Sequence, residues 1–222
     1  GASFPNGSDI FVSKLSADGG SLLASTFIGG THNDGLSIAP QLKYNYADEV
    51  RGEIDIDRQN NIYIATCTQS TDFPTTNTFQ VNSEGGQEGC IIKMDNQLST
   101  VVWSSYLGGE GDDAIYSLAL DNNDDIYVTG GTTSLNFPTT SGAHQESSPD
   151  SVYTDGFITK ISSNGAQIIS SSYFGTNKYD QSYFVEIGSS NLVYLFGQTE
   201  ASGSQMVISG TALAELGITA GT

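Results

Sequence analysis

The sequence has 222 residues, 37% hydrophobic and 10% aromatic, enough apolar material to bury the core of one or two domains. Its 25 acidic against 7 basic residues give a net charge of -18, which leaves no basic stripe for a phosphate backbone and excludes nucleic acid as a partner class. It holds no apolar run of about 18 residues and no basic-then-apolar leader, so membrane insertion is not expected and the sequence reads as mature or partial.

In chain order, the first strand-like block is Asp9-Ile10-Phe11-Val12-Ser13-Lys14-Leu15, closed by the turn Ser16-Ala17-Asp18-Gly19-Gly20 and followed by Ser25-Thr26-Phe27-Ile28-Gly29-Gly30. Residues 31–51 come next, and then the strand-like Asn61-Ile62-Tyr63-Ile64-Ala65-Thr66 and the pentapeptide Asp72-Phe73-Pro74-Thr75-Thr76. The pattern restarts with Glu88-Gly89-Cys90-Ile91-Ile92-Lys93-Met94 and Ser104-Ser105-Tyr106-Leu107-Gly108-Gly109. Asp125-Ile126-Tyr127-Val128-Thr129-Gly130 and Asn136-Phe137-Pro138-Thr139-Thr140 complete that unit. A third copy runs through Asp155-Gly156-Phe157-Ile158-Thr159-Lys160-Ile161, Ser171-Ser172-Tyr173-Phe174-Gly175-Thr176 and the fainter Asn191-Leu192-Val193-Tyr194-Leu195-Phe196. The last two units are offset by 67 residues at Lys93/Lys160, Gly108/Gly175 and Tyr127/Tyr194.

One domain, 1–222, therefore contains repeat units at approximately 9–80, 87–145 and 154–212, the first carrying an insertion at 31–51. The best-defined stretch reads as four short strands, 115–121, 126–131, 156–162 and 167–174, bounded by Gly, Asn and Asp. Helical periodicity is nearly absent; the one short candidate is 212–216. The fold class is all-β, and repeated four-stranded antiparallel units predict the blades of a β-propeller. Propellers close with about 4 to 8 blades, so about three units are expected to be part of a larger one. The sequence also starts in mid-unit and stops where another third strand should begin.

The succession Asp-x-Phe-Val-x-Lys-Leu, Ser-Thr-Tyr-Leu-Gly-Gly, a Gly-Asp-Asp turn, Ile-Tyr-Val-Thr-Gly and Asp-Phe-Pro-Thr-Thr resembles the bacterial SBBP family, the "seven-bladed β-propeller" repeats. The matching stretches are 9–30, 53–80, 88–145 and, more weakly, 155–199. The resemblance implies an extracellular or cell-surface bacterial protein in the context of type 9 secretion, gliding and adhesion. It implies no reaction and no cofactor. The partners expected are other proteins of a surface or secretion complex. The alternatives are a carbohydrate-binding or carbohydrate-processing propeller, for which glycans are the ligands, and an exported cargo or spacer domain.

Individual residues sharpen these expectations. Lys14, Lys93 and Lys160 share one repeat position, and a catalytic amine is not needed once per blade; a stem packed between blades with its ammonium on a neighbouring acid is the expectation. Asp121, Asn123 and Asp125 have the alternating oxygens of a Ca²⁺ loop, but the Gly at the sixth and Glu at the twelfth position are missing, so a plain turn is favoured and no metal is assigned. His32 and His144 lie in loops without a nucleophile elbow, and two arginines, Arg51 and Arg58, are too few for sialidase-type chemistry, so no catalytic residues are assigned. Cys67 and Cys90 end and begin consecutive strands, which makes a disulfide a candidate beside two buried thiols. The insertion 31–51 breaks the repeat on the face expected to carry contacts, and Tyr44, Asn45 and Tyr46 are its candidate partner-binding residues.

Overall fold

The computed structural model describes residues 7–202. The expected helix at 212–216 and the end of the third repeat unit lie outside the described residues. Among the described residues twelve strands are formed: β1 (Ile10–Leu15), β2 (Leu22–Ile28), β3 (Glu53–Ile56), β4 (Ile62–Thr68), β5 (Glu88–Met94), β6 (Val101–Leu107), β7 (Asp113–Leu120), β8 (Ile126–Thr132), β9 (Asp155–Ile161), β10 (Ile168–Phe174), β11 (Asp180–Ile187) and β12 (Val193–Thr199). They build two complete four-stranded antiparallel sheets, β3-β4-β5-β6 and β7-β8-β9-β10, flanked by the two-stranded sheets β1-β2 and β11-β12. The expected all-β, blade-like architecture is thus present. The sheets are cut out of phase with the repeat: unit 87–145 gives β5 and β6 to one sheet and β7 and β8 to the next.

The strands stack because every residue of β4 and of β8 is buried. A strand buried on both faces needs a neighbouring layer on each side. Ile62, Ile64, Ile92 and Met94 pack with Val12 and Ile28 of the β1-β2 sheet. On the opposite face Tyr63, Ala65, Ile91 and Trp103 meet Ile115, Val128, Phe137, Phe157 and Tyr173 of the second complete blade. Ala119 and Tyr127 then pack with Val185. The flanking sheets present the same residue types outward: Phe11 holds the repeat position of Phe157, yet is 68% exposed where Phe157 is fully buried.

The two ends of the blades differ. At one end lie the tight turns between first and second strands. Asp57 Oδ1 accepts the N–H groups of Gln59 and Asn61, and Asp121 Oδ1 those of Asn123 and Asp125. The residue that must turn left-handed is Asn60, Asp124 or Asn191, with φ of 62°, 61° and 57°; short polar side chains tolerate that conformation. At the other end run the long linkers 69–87 and 133–154 and the insertion 31–51.

The Phe-Pro-Thr-Thr segments are fastened by one device used twice. Tyr106 Oη donates to the Ser70 carbonyl (2.6 Å) and accepts the Phe73 N–H (3.1 Å); Tyr173 Oη donates to the Ser134 carbonyl (2.7 Å) and accepts the Phe137 N–H (2.9 Å). Each Phe ring then lies against its Tyr, with centroids 6.0 and 5.9 Å apart. The preceding residue holds the neighbouring loop, Asp72 Oδ1 accepting the Thr31 N–H and Asn136 Oδ1 the Glu110 N–H.

Candidate interaction face

The insertion leaves β2, crosses the linker end and reaches the far side of the described structure before returning to β3. Its anchor is Leu42, fully buried among Ala39, Cys67, Ala114, Tyr116 and Tyr183. The Leu42 carbonyl accepts bonds from Tyr116 Oη (2.8 Å) and Gln181 Nε2 (3.3 Å), and the Gln41 carbonyl accepts one from Thr154 Oγ1 (3.2 Å). Asp48 is fully buried, paired at 2.7 Å with Arg51, whose guanidinium lies 4.2 Å from the centroid of the Tyr183 ring.

This arrangement separates the three candidate contact residues. Asn45 is structural: its Nδ2 donates to Tyr183 Oη (2.6 Å) and Gln198 Oε1 (2.8 Å), and its N–H to Asp48 Oδ2 (2.7 Å). Tyr44 is 57% exposed but rests on Tyr179 at 4.4 Å between centroids and donates to Glu200 (2.7 Å). Tyr46 is fully exposed. Val152 and Tyr153, 74% and 41% exposed on the 133–154 linker, stand on the same end of the blades; the sequence signal for them is the three residues by which this linker exceeds 69–87, the offset between units rising from 64 at Phe73/Phe137 to 67 at Lys93/Lys160.

The lysine expectation holds in both complete blades. Lys93 Nζ is 3.3 Å from Asp57 and 4.7 Å from the Tyr63 ring; Lys160 Nζ is 2.9 Å from Asp121, 3.2 Å from Asp125 and 5.0 Å from the Tyr127 ring. Lys14 instead donates to the Asn96 carbonyl at 3.0 Å. Burial raises the Asp121 pKa, but the Lys160 ammonium and the turn N–H groups outweigh it and hold the carboxyl below 3.8. Burial opposes charge on Lys160 too, and its bonds to Asp121, Tyr127 and Asp125 outweigh it, so its pKa is raised. The lowered carboxyl contributes stability above its ordinary pKa that is lost as pH falls through the folded value. The raised ammonium contributes below its ordinary pKa, and loses that only at strongly alkaline pH. Lys160→Met should therefore cost about 1–3 kcal/mol near neutrality and flatten the fall of Tm below pH 4, as followed by circular dichroism.

Two candidates are corrected. The alternating oxygens of Asp121, Asn123 and Asp125 do not converge on a cation. Asp121 spends its oxygens on turn N–H groups and Lys160, Asp125 on Ser163 N–H and Lys160, and Asn123 is exposed. Among the described residues no group of three or more His, Cys, Asp or Glu is placed to hold a metal ion. The Cys67–Cys90 disulfide is not formed, and both thiols are free and buried. The register pairs Thr66 with Cys90 and Cys67 with Gly89, so the two side chains point to opposite faces of the sheet. Cys90 enters the core with Val12 and Ile62, Cys67 the one with Leu42 and Tyr116. Burial raises the Cys67 thiol to about 12 and Cys90 well above its usual value, which keeps both protonated. His32 and His144 are exposed loop side chains.

One repeated arrangement escaped the sequence reading although its spacing was visible. An acid, a glycine 20 residues later and an Asp 5 residues after that recur as Asp9/Gly29/Asp34, Glu88/Gly108/Asp113 and Asp155/Gly175/Asp180. Five of the six acids are buried, the exception being the half-buried Asp9. Burial, followed by repulsion from Asp113, raises Glu88 to about 8; burial raises Asp113 to about 6 and Asp155 to about 7. None of the ion pairs among the described residues involves these acids.

A search of curated proteins returns no match. Residues 102–138, which run from β6 through β7 and β8 to the second Phe-Pro, match the family model for SBBP, described as a beta-propeller repeat. The matched stretch bridges the two complete blades, and its strands lie in four-stranded antiparallel sheets, in keeping with a beta-propeller repeat.

Proposed function

We propose that this chain is a non-enzymatic interaction module, a propeller segment of an extracellular bacterial surface or secreted protein that binds another protein through its linker end. The observation that carries this reading is the division of labour inside the insertion. Leu42 and Asn45 lock it to strands β7, β11 and β12 and Asp48 braces it internally through Asn45 and Arg51, while Tyr46 projects wholly into solvent. A rigidly mounted exposed aromatic offers contact area at little cost in conformational entropy. Val152 and Tyr153 extend the apolar surface on the adjoining linker. A beta-propeller repeat supports a protein-interaction role, and no helix among the described residues is long and apolar enough to cross a membrane. The type 9 secretion and gliding context rests on the resemblance of the repeats.

The test compares partner capture from the extracellular fraction of the source bacterium by the native chain and by Tyr46→Ala. Tyr46 packs on nothing, so its removal should leave Tm unchanged within the ±0.5 kcal/mol typical of surface sites. Capture should fall by roughly tenfold or more, the loss of one aromatic anchor. Equal recovery by both proteins would count against this face, and binding of glycans in place of a protein would favour the carbohydrate reading.

A further inference from the structure

Carboxylates are almost never buried without a cation or a full set of donors. In this chain, acids sit in pairs, once at each junction between successive sheets, and all of them but the half-buried Asp9 are buried. Glu88 Oε1 is satisfied by the N–H groups of Glu84 and Gly85, both at 2.6 Å. Asp155 Oδ2 accepts from Ser148 Oγ at 2.8 Å. Their other oxygens, Glu88 Oε2 and Asp155 Oδ1, accept no hydrogen bond although the residues are 1% and 2% exposed.

Those same two atoms face the glycines. A Cβ at Gly108 would collide with Glu88 Oε2 from one side and Asp113 Oδ2 from the other; one at Gly175 would collide with Asp155 Oδ1; one at Gly29 would collide with Asp9 Oδ1 and approach Asp34 Oδ2 at 2.6 Å. At Gly108 and Gly29 the glycine therefore lets two carboxylates converge; at Gly175 it makes room for Asp155, and Asp180 is near enough to add its repulsion to Asp155. On the second acid of each pair one oxygen is fixed by the loop: Asp34 Oδ2 accepts from Gly30 N–H (2.7 Å), Asp113 Oδ2 from Gly109 N–H (2.9 Å) and Asp180 Oδ2 from Thr176 N–H (2.6 Å). Asp180 Oδ1 is buried without a partner. The remaining charged neighbours that act on these groups, Glu84, Asp112 and Asp150, are also acids.

We propose that each acid pair, Glu88/Asp113 and Asp155/Asp180 foremost and Asp9/Asp34 with them, binds a hard divalent cation of the Ca²⁺ class that ties one blade to the next. The donors are oxygens alone, two carboxylates per site, which suits Ca²⁺ with water completing its shell. Mg²⁺, which gives up its hydration water reluctantly, should bind more weakly. Glu88 and Asp155 begin β5 and β9, whereas Asp113 and Asp180 begin β7 and β11 of the following sheet. A cation held by both would therefore staple adjacent blades at the linker end, close to the proposed contact face.

The experiment uses the 222-residue chain, freed of metal with EDTA, at neutral pH. Calorimetric titration with CaCl₂ should give saturable binding, and millimolar Ca²⁺ should raise Tm by roughly 5 °C or more. The variant Glu88→Gln with Asp155→Asn keeps the shapes and removes the repulsion. It should melt no lower than the metal-free native chain and lose most of the Ca²⁺-dependent rise, whereas Asp18→Asn, on an exposed turn, should keep it. If the double variant does not fold, the native titration decides alone. Absence of heat and of any Tm rise, or an equal rise in the double variant, would overturn the proposal. So would a native Tm that climbs as pH falls from 8 to 5 with Ca²⁺ making no difference, since the pairs would then hold a proton and nothing more.

Discussion

Phe137→Ala is expected to lower the unfolding free energy by about 3–5 kcal/mol, the usual cost of emptying an aromatic site in a core. The ring is 3% exposed, lies 4.4 Å between centroids from Phe157 and 5.9 Å from Tyr173, and belongs to the largest apolar cluster, which joins the two complete blades. Tyr173→Phe separates the polar part of the same device: it strips one oxygen and leaves the Phe137 N–H and the Ser134 carbonyl buried without that partner, at about 1–3 kcal/mol. Urea unfolding checks both, with the midpoint falling and the m-value unchanged. A loss below about 1 kcal/mol for Phe137→Ala would mean that the linker is not fastened as described.

Trp103→Ala should be as costly, about 3–5 kcal/mol, for a different reason. Trp103 is 1% exposed on β6, and its Nε1 donates to the Ser163 carbonyl (3.2 Å) in the β9–β10 turn of the next blade. Gly165, in the same turn, has φ of +71° and a Cβ there would collide with the indole ring. Gly165→Val therefore combines a left-handed backbone unsuited to a β-branched residue with an overlap against a fixed ring. Both variants act on the seam between blades, so each should lower Tm while leaving the far-UV spectrum of a retained fold largely β. A Gly165→Val protein with native Tm would place the Trp103 ring elsewhere.

The blades were legible because their determinants are local and repeated. Alternation such as Ile62-Tyr63-Ile64-Ala65 gives one face to each neighbouring core, and Asp57 and Asp121 close their own turns within four residues. The second Phe-Pro lies within a matched family repeat. What the sequence hid depends on register and on long-range approach. Two cysteines at adjacent strand ends suggest a bridge until the register shows them one residue out of step, on opposite faces. Asn45 looked like an interface residue because it sits between two tyrosines, but its partners, Tyr183 and Gln198, are more than 130 residues away and nothing local announces them. The acid pairs were readable from a constant spacing, yet only the fold reveals that residues 25 apart, such as Glu88 and Asp113, meet across a glycine.

The claim that the linker end is the working face is tested most directly by comparing its reach with that of the opposite end. A photo-crosslinking residue is placed at Tyr46 in one sample and, in another, at Gln97, which is exposed on the turn between β5 and β6. Irradiation in the extracellular fraction should give a discrete protein adduct from position 46 and none from position 97. Equal labelling at both positions, or none at 46 while the protein remains folded, would contradict the account.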